Sequence, residues 1–480
     1  MLSARLFPRR RAKGVVPMTD PITQFIVDLF LLLGSAVLAG EVATHFKQPA
    51  MVGQLLVGML LGPTLLGPFL GLNPASSTGP ALSPQLGTMQ ILATVFILFM
   101  AGLEVSPEDI FTMELSTAIL GLAVFFIPFG LAAIVLPFVL HQISFLEGLL
   151  IAVTLSITAL PVMGLMLQEF GLSKSRIGKL LINTALLNEF SAVAVFSILL
   201  KVMAGSTSGL VAVSIALLSV ALFISIMLTI HTVLKLLRTN RLWDPIKRQF
   251  NRAWHSRQGG FAILLVLMVG STLFSQFLGL TYVVGAFYAG LLVTRESAGH
   301  VAHTSISSIM DAMSWGFFIP VFFALVGVEM NLRLISTVYW LTAFGALLAV
   351  AIVAKYVTGF SIASLIGWRS ADASAIGYMV GSRGAVELAM ATILLSSGLV
   401  DIQIFTLIAG IGLVTTVIAP IGALRSWRAD PIRQHEMQKS RDAAPPGPQW
   451  VRPAPGPLNE VTIAEDSPPA RPPLPTGPRQ

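Results

Sequence analysis

The 480-residue sequence contains no cysteine. Disulfide frameworks, thiolate metal centres and thiol redox chemistry are therefore excluded. Charge is the second shortage: Asp, Glu, Lys and Arg make up 11% of the chain, against about 25% in a soluble domain. The seven histidines lie mainly in connections and without ligand spacing, so no metal centre is read. No Walker A or other nucleotide loop occurs, which leaves ATP without a phosphate cradle as an energy source, and the chain reads as no enzyme and as carrying no cofactor. What fills the sequence is apolar. Hydrophobic residues reach 55% and the mean hydropathy is +0.81, so lipid rather than water covers most of the surface.

Segments of spanning length follow from the need for about 20 apolar residues per crossing. About thirteen are expected, near 22–43, 49–67, 86–105, 113–139, 145–168, 178–204, 209–237, 258–278, 280–294, 309–332, 334–366, 371–397 and 402–426. The ninth is short. A pI near 9.9 invites a nucleic-acid reading, but the basic residues cluster in alternate connections instead. Lys235, Arg238, Arg241, Lys247, Arg248, Arg252 and Arg257 separate the seventh and eighth spans. Lys174, Arg176 and Lys179 join the fifth and sixth, and Arg425, Arg428 and Arg433 follow the last. The positive-inside rule puts the C-terminus in the cytoplasm and, with an odd count, the N-terminus outside. The basic stretch "RLFPRRRAK" (Arg5 to Lys13) disagrees. Met18 as the true start resolves the conflict; a cytoplasmic N-terminus with one span miscounted is the rival. No apolar h-region follows the basic run, so a cleaved signal peptide is not expected.

Three regions result: a basic segment 1–20, a membrane domain 21–428, and a proline-rich tail 429–480 expected to be disordered and cytoplasmic. The membrane domain shows internal similarity. "VGQLLVGMLL" (Val52–Leu61) in the second span matches "VGAFYAGLLV" (Val284–Val293) in the ninth, and "LFMAGLEV" (Leu98–Val105) in the third matches "FALVGVEM" (Phe323–Met330) in the tenth. Both pairs are seven spans apart, an odd number, so the copies cross in opposite senses. An inverted repeat over about 22–204 and 258–426 is the expectation, and such repeats mark secondary transporters whose site lies between broken helices.

Two places suit a break. In "TLSITALPVM" (Thr154–Met163), Pro161 cannot donate to the Ile157 carbonyl, and Ser156 and Thr158 add side-chain oxygens beside it. Seven spans on, "VGSRGAVELAM" (Val380–Met390) sets Gly381 and Gly384 around Ser382 and Arg383. An ordinary proline kink and packing glycines are the competing reading; the symmetric placement favours functional breaks.

The sixth span carries "LLNEFSAV" (Leu186–Val193). A carboxylate at a bilayer centre costs roughly 2.5–3.5 kcal/mol on insertion scales, so Glu189 reads as functional rather than incidental. Thr184, Asn188 and Ser191 form a polar stripe, and Ala185 and Ala192 allow close approach to Glu189. A carboxyl balanced between desolvation and a nearby cation exchanges a proton for a metal ion, with Asn188 as a neutral ligand. Candidate cations are Lys355, whose alternative is snorkelling, and Arg383, which is four residues from Glu387 and able to pair with it. Glu41, Glu104 and Glu329 lie at span ends and are read as interfacial. Gly58 and Gly62 form a GxxxG, a weak signal by itself.

Together, "QPAMVGQLLVGMLLGPTLLG", "FILFMAGLEV", "GAFYAGLLV", "FFALVGVEMNL" and "GSRGAVELAM…TLIAGIGLVTTVIAP" resemble the monovalent cation:proton antiporters, above all the branch of glutathione-gated potassium effluxers and plant cation/proton exchangers. The similarity covers about Pro21 to Leu424. It implies an all-α polytopic fold of thirteen helices, in which a core domain stands beside a panel-like dimerisation domain and the unwound fifth and twelfth helices cross. It aligns the family's acidic pair with Asn188 and Glu189 and its eleventh-helix lysine with Lys355. The second residue of that motif is normally Asp; Glu189 keeps the charge but moves the oxygens by one methylene. Asn188 resembles members that exchange one proton per cation without net charge. No nucleotide-sensing domain of the effluxer type fits in the short tail.

The expected function is exchange of Na⁺ or K⁺ for protons by alternating access in a plasma (inner) membrane, in a lipid-embedded homodimer without nucleic-acid partners. Glu189 binds proton or ion; Asn188, Ser156 and Thr158 supply neutral ligands; Lys355 holds Glu189 in the ion-free state; Arg383 stabilises the unwound twelfth span. A cation channel and an inactive, sensor-type homologue acting through its tail are the alternatives.

Overall fold

Inside a bilayer, backbone N–H and C=O groups have no water to bond, so a membrane-spanning chain satisfies them within helices or a closed barrel. The computed structural model describes residues 21–46, 48–66, 83–104, 113–170, 172, 175–205, scattered positions between 211 and 229, and 257–278, 280–293, 309–310 and 312–428. Secondary structure among them is helical. In chain order it comprises α1 (Pro21–His45), α2 (Ala50–Leu61), α3 (Pro84–Glu104), α4 (Leu115–Val139), α5 (Phe145–Thr154), α6 (Leu160–Glu169) and α7 (Arg176–Ala204). These are followed by α8 (Arg257–Phe277), α9 (Tyr282–Leu291), α10 (Ile319–Glu329), α11 (Val338–Leu365), α12 (Ser370–Met379), α13 (Ala385–Ser396) and α14 (Ile402–Arg428).

Local chemistry sets several boundaries. Ser144 and Glu147 form a reciprocal capping box at the start of α5. Ser175 caps α7 through the Gly178 N–H, and Thr337 caps α11 through that of Trp340. Twelve of the thirteen expected spans coincide with described helices. The seventh falls on the scattered positions, and segment 1–20, the basic connection after that span and the tail 429–480 lie outside the described residues.

The helices pack as two groups. In the first, α1 lies on α2, α2 on α10, α3 on α9 and α8 on α9. In the second, α4 touches α5, α7 and α11, while α12 packs against α11 and α14. The repeated motifs occupy equivalent places in the first group. A Cβ on Gly58 of α2 would stand 2.1 Å from the Ala324 oxygen of α10, and one on Gly290 of α9 would stand 2.1 Å from the Phe99 oxygen of α3. Only glycine permits such backbone approach, which explains the second glycine of each V-G-x4-G. Gly62, too, lies against α10, 2.6 Å from the Val328 oxygen by the same measure, so the GxxxG is a helix crossing.

The fifth and twelfth spans are each broken. The pieces α5, α6 and α12 have 10 residues and α13 has 12, each only about half of what a bilayer requires. The breaks, 155–159 and 380–384, are where the sequence suggested. Pro161 is not an interior kink, however. It lies in the first turn of α6, where its missing N–H would have had no helical partner.

Candidate ion-binding site at the crossing of two broken helices

A broken helix leaves the carbonyls of one half and the N–H groups of the other without intrahelical partners. Here the two breaks satisfy part of that need in each other. The Ala159 N–H donates to the Ser382 carbonyl (3.1 Å), and Thr158 Oγ1 donates to the Val380 carbonyl (2.6 Å). Gly384 allows the contact: a Cβ there would lie 2.8 Å from the Ala159 Cβ and 2.9 Å from the Val162 Cγ2.

Asn188, on the α7 helix, holds the first break from the side. Its Oδ1 accepts from the Thr158 N–H (2.7 Å) and its Nδ2 donates to the Ser156 carbonyl (3.3 Å). The buried amide thus fixes two backbone groups that no helix satisfies. Ser156 is buried as well, and its hydroxyl donates back to the Ala152 carbonyl (2.7 Å). Glu189 follows Asn188 and is fully buried, as are Ala185 and Ala192. The adjoining Phe190 ring meets Tyr288 of α9 edge-on at 5.9 Å, joining this part of α7 to the other helix group.

Lys355 projects from α11 into the crossing. It is fully buried, which excludes snorkelling, and its Nζ donates to Thr158 Oγ1 (2.7 Å). Thr158 therefore relays from the Lys355 ammonium to the Val380 carbonyl. The contact that Lys355 makes here is to the broken helix itself.

Arg383 makes the expected pair with Glu387 and further contacts besides. From the second break it reaches across to the first. Its guanidinium donates to the Thr154 carbonyl (3.2 Å) and to that of Leu155, the carbonyls at the C-terminal end of α5. A cation there complements both the unfilled acceptors and the helix dipole. Arg383 pairs with Glu387 at 2.6 Å, and Glu387 sits in the first turn of α13, where a negative charge is favoured. Thr416 of α14 completes the support by donating to the Arg383 carbonyl (2.9 Å). The Thr-Thr pair in "GLVTTVIAP" carried no signal that could have assigned this role.

The site residues thus form two linked clusters. Asn188, Ser156, Thr158 and Lys355 make one, and Glu189 follows Asn188 on the same helix; Arg383 and Glu387 make the other, joined to the first through the end of α5. Glu329, read from the sequence as interfacial, is in fact 5% exposed and accepts a 2.7 Å hydrogen bond from Gln90 of α3. It ends α10 but faces protein rather than the membrane surface. Glu41 is exposed, and the Glu104 side chain is outside the described set.

Two interrupted helices that cross inside the membrane domain are the architecture on which secondary transporters build their sites. The family model for the transmembrane sodium/hydrogen exchanger matches residues 31–424, and the chain belongs to that family. It is 26% identical over 373 residues to the Na(+)/H(+) antiporter NhaS4 of Synechocystis, covering 75% of this chain and 86% of that one. It is 26% identical over 375 residues to the K(+)/H(+) antiporter 1 of Saccharomyces cerevisiae, covering 75% of this chain and 41% of the other. The fold is similar to that of the sodium proton antiporter MjNhaP1 of Methanocaldococcus jannaschii, with a TM-score of 0.62 at 16% identity over 87% of this chain and 99% of that one. The protein is therefore a membrane-embedded exchanger of the sodium/proton antiporter fold.

Proposed function

We propose that the protein exchanges a monovalent cation, Na⁺ or K⁺, for protons, with Glu189 as the group that carries either one. The observation that supports this most is that Asn188 bonds the backbone of the first break from α7 while Glu189, the next residue, is fully buried. A carboxylate buried in the membrane domain is costly when ionised, and binding a proton or a cation relieves that cost. Asn188, Ser156 and Thr158 offer neutral oxygens beside it, and the cations of Lys355 and Arg383 balance the negative charges of Glu189 and Glu387. Lys355 is proposed to move its ammonium from Thr158 toward Glu189 when the site is empty.

The membrane domain 21–428 is read as two repeats, about 22–204 and 258–426, with the group α4–α7 and α11–α14 moving against the remaining helices. A homodimer in the plasma membrane with its C-terminal tail in the cytoplasm completes the reading. The test is proton flux in sealed proteoliposomes with an internal pH dye, adding Na⁺, K⁺, Li⁺ or Rb⁺ in turn. Glu189→Gln is expected to abolish the response while leaving a folded protein. Full exchange in that variant removes Glu189 from the mechanism, and silence of the wild type toward every cation removes the antiport reading.

A further inference from the structure

Glu387 has a feature that pairing with Arg383 does not explain. Its Oε1 accepts from Arg383, but its Oε2 is fully buried and has no hydrogen-bond partner. That second oxygen faces Gly412 of α14, where an added Cβ would lie 3.3 Å away. The side chain lines a crevice between the two helix groups, walled by Met51, Val52 and Leu55 of α2, Phe323 of α10, and Leu413 and Thr416 of α14. The walls are almost wholly apolar. Thr416 already donates to the carbonyls of Arg383 and Gly412.

An ionised carboxylate using one oxygen on a guanidinium and leaving the other without a partner beside an apolar crevice lacks part of its compensation. The crevice offers too few oxygens to replace the hydration shell of a metal cation, which takes about six or more in protein sites. A proton needs only the one. We infer that Glu387 Oε2 is a second proton-binding site, reached through the crevice between α2/α10 and α13/α14 and separate from Glu189. Bound as the acid, Glu387 keeps Oε1 as an acceptor for Arg383, so proton uptake changes the charge of the cluster without dissolving it.

Among the described residues, the charged groups near Glu387 include Arg383, in the break preceding its own helix and paired with it, and Lys355 on α11. The crevice residues of α2, α10 and α14 are apolar or neutral. The α3 helix, also packed on α13, has Gln90 and Thr94 as its buried polar residues, and α5 presents carbonyls. Lys355 bonds Thr158 at the break that Asn188 supports, and part of the inference is that the charge on Glu387 acts through it on proton release at Glu189. This rests on the antiport reading for its effect on exchange, though proton binding itself does not.

Two measurements separate these. Infrared titration of carboxyl groups in the detergent-solubilised full chain requires no transport. Glu387→Gln is expected to remove one titrating carboxyl signal, distinct from the one lost in Glu189→Gln. In proteoliposomes, deleting a buried negative charge lets the remaining sites release protons more readily, so the pH of half-maximal exchange moves toward acid by about one unit. Gly412→Ala, which crowds Oε2 without removing it, moves the same profile and decides the matter if Glu387→Gln fails to fold. An unchanged infrared titration in Glu387→Gln overturns the inference, as does an unchanged pH profile in Gly412→Ala when the first variant does not fold. A lost carboxyl signal in a chain that exchanges no cation upholds proton binding at Glu387 and overturns the antiport reading instead.

Discussion

Lys355 and Thr158, 197 residues apart in sequence, meet at 2.7 Å through Nζ and Oγ1 in the interior of the membrane domain. Thr158 donates onward to the Val380 carbonyl at 2.6 Å, so one hydroxyl joins α11 to both broken helices. Thr158→Val keeps the shape but removes acceptor and donor together. The ammonium then loses a buried partner, a loss on the order of 1–3 kcal/mol or more for a charged group. We expect a lowered melting temperature and at least a tenfold loss of cation-driven proton flux, with Thr158→Ser retaining most of both.

Asn188 supports the same break from α7. Asn188→Ala leaves the Thr158 N–H and Ser156 carbonyl without their present partner, at about 1–3 kcal/mol for each buried group that water does not reach. Thermal unfolding in detergent should show the loss, and exchange should fall with it. Unchanged stability would mean that water replaces the amide, and that the break is wetter than its burial implies.

Close approach of the two breaks depends on Gly384. Gly384→Ala places a methyl 2.8 Å from the Ala159 Cβ and 2.9 Å from the Val162 Cγ2, and such overpacking costs about 1–3 kcal/mol. Gly345→Ala on α11 is the internal comparison, because nothing lies within 4 Å of its added Cβ. That change is expected to be neutral or slightly stabilising, since alanine is the better helix former. Melting temperatures of the two variants, measured side by side, check the pair.

The sequence made the breaks visible because proline and the Gly-Ser-Arg-Gly run are local signals. The Asn188–Glu189 pair stood out because ionisable groups are costly in a span, and Arg383–Glu387 because i and i+4 share a helix face. What was not legible depends on the rotation of one helix against another. Arg383 was expected to steady its own break and to pair with Glu387; besides that pair, its guanidinium also ends on carbonyls more than two hundred residues away. Lys355 is mid-span as expected, yet periodicity does not say whether it reaches Thr158 or Glu189. Pro161 shows a different limit, since a proline in a helix interior and one in a first turn read alike until the break is placed. Glu329 shows a third: position at the end of a span gives depth but not whether the side chain faces protein.

That last residue yields a prediction on stability alone. Gln90 on α3 and Glu329 on α10 are 3% and 5% exposed and share a 2.7 Å hydrogen bond away from the crossing. Removing one partner leaves the other buried without it, so Gln90→Leu should destabilise by about 1–3 kcal/mol, and Glu329→Leu by a comparable amount. Replacing both with apolar side chains removes the need along with the bond, and buried polar pairs exchanged in this way are often neutral or stabilising. The double variant should therefore melt above either single variant, with a coupling energy between roughly 0.5 and 3 kcal/mol in a double-mutant cycle. Additive losses would show that the two side chains act independently, and that Glu329 draws its support from elsewhere at the end of α10.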